Sequence, residues 1–261
     1  MEPINIMLRL EELIKIHNED SKIWLEKMTF SRESEKKFSS NFNYYHVLLA
    51  ISNLIKSELE VLKQNFYISA LIDELQIKKF NSRLLDYGLN SIVYCILSDN
   101  EALIQRYAKL RYRRGANAEM SMDEMVATGE LPIWCNTIQF FMVNDDAGVE
   151  RNLNIIETKT LKSFPKKEEG LKDDYEFYKA LHTSDKAKME GILEKLVSPK
   201  IHKKRNDNPI LNQYISLPAL GYAKLAWRKG VEVEVNSPLI PQELLPIQPL
   251  EHYEIPYDFL K

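Results

Sequence analysis

Pro218-Ala219-Leu220-Gly221-Tyr222-Ala223-Lys224-Leu225-Ala226-Trp227-Arg228-Lys229-Gly230-Val231-Glu232-Val233-Glu234-Val235 contains both of the periods with which a polypeptide buries one face. Its first thirteen residues read as a helix. A proline opens the run where a missing N–H costs nothing, Ala and Leu fill it, cations occupy the last turn, and a glycine stands ready for the left-handed closing position. The last five residues alternate apolar and acidic side chains, the period of an extended segment. The helical pattern recurs along the chain, whereas no second convincing period-2 run lies nearby to pair with this one. The stretch therefore predicts an all-α fold with one short β-like segment.

Working outward, Tyr44, Leu48, Ile51, Ile55 and Leu62, widened by Val47, Leu54 and Leu59, keep the 3–4 spacing of a single helix face. Leu71, Leu75 and Ile77 predict a shorter element before a break at Asn81-Ser82. Helices are expected over about residues 84–97, and over about 101–114 with Gly115 closing the second. Ser121-Met122-Asp123-Glu124 fits a capping box, and Pro132 fits the first position of a helix through Met142. Asn144-Asp145-Asp146 should end that helix, with helical spacing resuming over residues 149–161. Ser184-Asp185 should cap a helix ending near Val197, with Pro199 after it.

Residues 166–174 read as a charged linker between an N-terminal helical region (1–165) and a C-terminal helical region with a tail (166–261), the two expected to form one continuous domain. Residues 200–209 read as an exposed basic loop. Five prolines between Pro238 and Pro256 predict an extended strap with one short turn over residues 242–245. Its Leu244, Leu245, Ile247, Leu250, Tyr253, Tyr257, Phe259 and Leu260 are too apolar to remain in water, so the strap should pack back on the body. No repeat of 34 or about 40 residues is present. The expected architecture is thus antiparallel helix pairs in one globular or slightly curved array.

Composition narrows function. Eight glycines in 261 residues are about 3%, against a usual ~7%. Folds built on phosphate-binding loops consume glycine at tight turns, so this deficit argues against them. The net charge of −3 excludes a generic polyanion binder, and nucleic acid is not an expected partner. Cys95 and Cys135 stand in apolar helical contexts and read as buried free thiols. The first ten residues lack the basic start and apolar run of a signal peptide, and no stretch approaches 18 uncharged apolar residues. The expectation is a cytoplasmic chain without membrane contact.

No local motif supplies catalysis. Walker loop, nucleophile elbow, zinc-protease helix and dinucleotide fingerprint are all missing, and the five histidines are scattered. The reading is therefore not an enzyme, with no cofactor and no metal site. A fold-assembled carboxylate pair would leave no such trace, and an enzyme of that kind stays open at this stage. Arg106, Lys109 and Arg113 share an expected helix stripe, with Arg111 and Arg114 near by, and read as a solvated face. His202-Lys203-Lys204-Arg205 reads as a solvated loop.

Ser216-Leu217 leading into the opening stretch, followed by Ser237-Pro238-Leu239-Ile240-Pro241-Gln242-Glu243-Leu244-Leu245, is similar to the closing segment of the bacterial immunity protein 49 family, found beside polymorphic toxins. The shared pattern is an Ala/Leu-rich helix with a basic end, a glycine, a β-like run, then Ser-Pro and Pro-x-Glu-Leu. Asp174-Tyr175-Glu176-Phe177-Tyr178-Lys179-Ala180-Leu181 and the helix after it resemble that family's middle section. The resemblance implies an antitoxin that binds a cognate toxin, a nuclease or another enzyme, and blocks it by occlusion. A helical adaptor or regulatory interaction module is the alternative. Carboxylates suit the blocking of a cationic active site, and Glu119, Asp123, Glu124, Asp145 and Asp146 flank the helix that begins near Pro132. They are the expected toxin-binding residues. The oligomeric state is not legible.

Overall fold

The structure, a computed structural model, describes residues 6–115, 117–163, 170–206 and 208–261. It is 72% helical, with thirteen α-helices among the described residues, so the all-α reading holds. Three long helices open it: α1 (Ile6–Met28), α2 (Arg32–Ile55) and α3 (Leu59–Phe80). Short turns join them, so they pack as successive hairpins, α1 on α2 and α2 on α3. Ser31 caps α2 by accepting the Ser34 N–H at 3.1 Å, and Glu33 and Glu35 complement the positive end of the helix.

The single stripe expected over residues 44–62 is two helices. Ser57 takes φ 59°, and the N–H groups of Ser57 and Glu58 return to the carbonyls of Leu54 and Asn53. This is a left-handed helix closure made without glycine. The shorter element expected around Leu71 is part of the 22-residue α3, which Asn81 closes at φ 53°.

Other boundaries move as well. Arg83–Ser91 is a 3-10 segment interrupted at Tyr87 and Gly88, and only α4 (Val93–Leu97) of the expected 84–97 helix is α-helical. The helix expected to reach residue 114 ends early, as α5 (Glu101–Tyr107), capped by Asn100. Leu110 and Tyr112 are both buried while Arg111 and Arg113 turn outward, an alternation that only extended backbone allows. The chain then forms a small antiparallel hairpin, β1 (Arg113–Arg114) with β2 (Met120–Ser121), with Arg113 opposite Ser121 and Gly115 at φ 102°.

From there the expected punctuation holds. Ser121 and Glu124 form the capping box of α6 (Met122–Thr128), and Pro132 opens α7 (Pro132–Met142). Asp145 caps α8 (Asp146–Ile155), which continues through a π turn (Ile156–Thr160) into α9 (Leu161–Ser163). Of the expected linker, residues 166–169 lie outside the described residues, and 170–174 are already helical in α10 (Gly170–His182). Asp185 caps α11 (Lys186–Val197). Pro199 then starts a helix rather than a loop: α12 (Pro199–Arg205) carries the basic cluster. Pro218 stands in the first turn of α13 (Leu217–Arg228), and Gly230 closes it at φ 79°. Gly221 lets α13 approach closely, since a Cβ there would lie 2.8 Å from Leu89 Cδ2 and 3.0 Å from Val93 Cγ2. Both cysteines are buried free thiols.

Beyond Gly230 the β-like run is extended but pairs with no strand among the described residues. Val233 and Val235 are buried, Glu232 and Glu234 face water, and the Trp227 indole donates to the Val233 carbonyl at 3.0 Å. The strap packs back on the body, with Leu244 and Leu245 in the core and Tyr253, Tyr257, Phe259 and Leu260 lying against it. Ile247 departs from expectation: it follows the 3-10 turn Gln242–Leu244 and is 47% exposed. What fastens the strap is a buried charge cluster. Asp99, in the left-handed turn after α4, ion-pairs with Lys224 at 2.7 Å and Lys63 at 2.9 Å. The two ammonium groups donate to the strap carbonyls of Pro246 (2.8 Å) and Gln248 (2.6 Å), and the Gln248 N–H donates to Asp99 at 3.2 Å. Further along, Tyr253 donates to the Ser98 carbonyl at 2.7 Å, and the Tyr257 hydroxyl lies 2.7 Å from the buried His46 ring.

Candidate functional site

The five acidic residues singled out in the sequence divide into separate environments. Glu119, ahead of β2, accepts the Asn117 N–H at 3.0 Å, and its own carbonyl accepts from Arg113 at 2.8 Å. Glu124 takes the Ser121 hydroxyl and N–H at 2.6 and 2.7 Å. These two bonds hold its carboxyl below the usual carboxylate range. Asp123, largely exposed, pairs with Arg111 at 2.8 Å. Asp145 caps α8 by accepting the Gly148 N–H at 2.9 Å, and Asp146 lies 3.8 Å from the Lys229 ammonium. Each carboxylate therefore has a local structural task, and all five remain exposed.

Glu119 and Glu124 come together. With Glu130, Met120 and Thr128 they line a shallow depression of about 260 Å³ beside the hairpin. Asp145 and Asp146 stand at the other end of α7. Eleven residues at 1.5 Å rise separate its ends by about 16 Å. Glu130, which the sequence did not single out, completes the depression from the α6–α7 turn and pairs with Arg114.

That turn also borders a second, more enclosed pocket of about 160 Å³, between the broken 3-10 segment and the starts of α7 and α10. Asp174 and Arg205 form a two-pronged ion pair on its wall, at 2.8 and 2.9 Å. Asp86 is held by Arg83 at 2.9 Å, by Arg114 at 3.3 Å and by the Tyr112 hydroxyl. Arg114 thus bridges the two concavities, Asp86 in one and Glu130 in the other. The hydroxyl of Tyr178 donates to the Trp134 carbonyl at 3.2 Å and lies 3.4 Å from that of Tyr222. Nothing in the linear order of Asp86, Trp134, Asp174 and Arg205 announces this pocket. The one local signal was Gly88, an isolated glycine beside an aromatic residue.

The basic residues are employed internally more than the sequence suggested. Arg106 clamps Glu74 of α3 through two nitrogens, at 2.9 and 3.0 Å, from an exposed position on α5. Arg111 reaches Gln139 of α7 at 3.1 Å, and Arg113 binds the Ala118 and Glu119 carbonyls across the hairpin. In the second cluster Arg205 is turned to Asp174 and His202 meets the Asn212 carbonyl at 2.7 Å. Arg106, Lys109, Arg113, Lys203 and Lys204 stay exposed, as the solvated reading expects, whereas Arg111, Arg114, His202 and Arg205 are half-buried on partners within the fold. Among the described residues no three His, Cys, Asp or Glu side chains are grouped to hold a metal ion, and no helix is long and apolar enough to cross a membrane.

Comparison with known proteins gives no match among curated proteins and none among solved structures. A family sequence model, described as immunity protein 49, matches residues 46–244. The match starts within α2 and runs through both concavities to the first residues of the strap. It covers most of the chain, which belongs to the immunity protein 49 family.

Proposed function

We propose that the chain is an antitoxin that binds a cognate polymorphic toxin and neutralises it by occlusion in the cytoplasm of the cell that makes both. Membership of the immunity protein 49 family carries this reading. The surface chemistry agrees with it. Glu119 and Glu124 face a shared depression with Glu130, and Asp123 stands on the same helix as Glu124. An acidic concavity complements the cationic active site of a nuclease, and it speeds encounter with a basic partner. Asp145 and Asp146 form a second, separate acidic contact at the far end of α7. Occlusion needs binding and nothing catalytic from this chain.

The test is co-expression with the toxin encoded beside it. The unaltered chain should restore growth and co-purify with the toxin. A variant carrying Glu119→Lys and Asp123→Lys, which spares the Glu124 cap, should protect less while keeping its helical circular dichroism. Failure of the unaltered chain to bind or protect would refute the antitoxin reading. Full protection by the folded double variant would remove the acidic face from the contact.

A further inference from the structure

The end of the strap is held as a bound peptide is held. Over residues 253–259 its side chains alternate. Tyr253, Ile255, Tyr257 and Phe259 lie half-buried against the body, while Glu254, Pro256 and Asp258 are exposed. That is the period of an extended segment laid on a surface. Among the described residues its main chain bonds to no other main chain outside its own last turn, where Leu260 and Lys261 donate to Tyr257 and Asp258. The body grips it with side chains instead. Gln64 of α3 accepts the Glu254 N–H at 3.1 Å and donates to the Glu254 carbonyl at 2.8 Å. The Tyr253 ring lies 4.8 Å from that of Tyr67, and its hydroxyl reaches the Ser98 carbonyl. Tyr257 and Phe259 stand against Phe42, and the Tyr257 hydroxyl meets His46. An empty groove would open Phe42 and Tyr67 to water, so it needs an occupant of this chemistry.

The seat is nevertheless shallow. No residue after Leu245 is fully buried. Clefts of about 810 and 350 Å³ flank the strap, one beside residues 256–259 and one beside residues 248–252, where a settled core element leaves few voids larger than a water. Upstream, the buried charge cluster fixes Pro246 and Gln248. Between that anchor and Tyr253, the residues Pro249, Glu251 and His252 are exposed, and the smaller cleft lies between them and the start of α3. They form a hinge. The five residue steps from Gln248 to Tyr253 span at most about 16–18 Å when extended, enough to carry the segment to a neighbour docked hinge to hinge. Val61 and Ile247, sequence neighbours of residues lining the hinge cleft, are each 47% exposed and leave apolar surface uncovered there.

We infer that residues 253–261 exchange between two copies of this chain, each copy seating its segment in the other's groove on α2 and α3. The occupant is set by what the groove already holds. A second copy offers the identical segment and remakes every contact, and two-fold symmetry closes the exchange. The hinges cross where Val61 and Ile247 become covered. The inference does not depend on the antitoxin reading. Two full-length variants test it, Gln64→Cys in one copy and Glu254→Cys in the other, the native thiols being buried. They are mixed in equal amounts at high concentration, left to exchange, diluted and treated with a short bis-maleimide. Linked two-chain product should appear, up to the half of the pairs that random pairing makes mixed. A chain carrying both substitutions should link internally, and light scattering should show the unaltered chain passing from one copy to two as concentration rises. An internal link in the double variant without two-chain product in the mixture would overturn the exchange, as would an unaltered chain that stays single at every concentration. Two-chain product from either variant alone would place the contact elsewhere and also overturn it. No internal link in the double variant would overturn the seating of the segment beside Gln64, and the exchange with it.

Discussion

Asp99→Ala is the substitution from which the structure predicts the largest loss of stability. Asp99 is the carboxylate between two buried ammonium groups, Lys224 with a side chain 0% exposed and Lys63 at 4%. Burial already pushes Lys224 down to about 8, against the opposing pull of Asp99. Removing the carboxylate strands two cations and frees the Gln248 N–H, so the strap loses its clasp. Breaking a single buried ion pair costs about 3–5 kcal/mol. Two pairs share this carboxylate, which places the change near ~5 kcal/mol, limited by Lys224 giving up its proton. For a chain of this size roughly 2–4 °C are lost per kcal/mol, so Tm should fall by about 10–20 °C. Lys224→Met is the informative companion. It leaves Asp99 and Lys63 as a matched pair and fills the space with an apolar chain, so its loss should be clearly smaller. The assay is thermal unfolding followed by helical circular dichroism at pH 7. A Tm for Asp99→Ala within about 3 °C of the unaltered chain, or a larger loss for Lys224→Met than for Asp99→Ala, would refute the reasoning.

Three further outcomes are expected. His46, buried between Asn65 and Tyr257, has its pKa lowered by burial to about 4. The unfolded chain therefore binds the extra proton first, and stability should drop by about 3 kcal/mol as pH falls from 6.5 toward 4, a slope that His46→Gln should flatten in urea titrations at pH 7 and 4.5. Asp73, half buried beside Asn43, is pushed up by burial to about 7. Here the sign is opposite: the unfolded chain gives up its proton first, the folded state is penalised as pH rises from about 4 to 7, and Asp73→Asn should raise Tm at pH 8 but not at pH 4. Gly221→Leu would drive carbon into Leu89 and Val93, and should cost about 1–3 kcal/mol of unfolding free energy in chemical denaturation, as overpacked cores do.

Much of the fold was legible because helix starts in this chain obey simple chemistry. Ser121, Asp185, Pro132 and Pro218 mark their helices as their side chains and rings require. Helix ends were harder, for a reason tied to the scarcity of glycine. Ser57, Asn81, Asp99, Asn144 and Ser184 all take positive φ at the close of a helix, a place where glycine is the usual marker. The break after Ile55 therefore passed as a continuous stripe. The hairpin after α5 was hidden by its composition, since Arg111, Arg113 and Arg114 are good helix formers and only the burial of Leu110 and Tyr112 decides for extended backbone. The acidic residues were readable as candidates, whereas Glu130 and the pocket were not. Asp86, Trp134, Asp174 and Arg205 are far apart in sequence and meet only through packing of the 3-10 segment, α7, α10 and α12.

The acidic residues of this chain also show why a sequence cannot sort structural charge from charge available to a partner. Asp86, Asp99 and Asp174 stand at turns or helix starts, as do Glu119, Asp123 and Asp145, and nothing in their flanking residues separates the two sets. Depth separates them. The first three are 7% exposed or less, and each is committed to cations of its own fold. Their Coulomb energy is spent internally, and altering them perturbs the body before any partner is met. The second three are exposed: Asp123 pairs with Arg111 at the surface, a bond worth little to stability, while Glu119 and Asp145 each accept a backbone N–H through one oxygen and keep the rest of the carboxylate in water. They remain free to act at long range on a basic partner. Arg114 belongs to both classes at once, fixed inside by Asp86 and reaching out to Glu130. It thereby ties the rim of the proposed contact to the wall of the pocket beside it. A partner that draws Glu130 away would leave Arg114 with Asp86, so the rim can be engaged without stranding a buried charge.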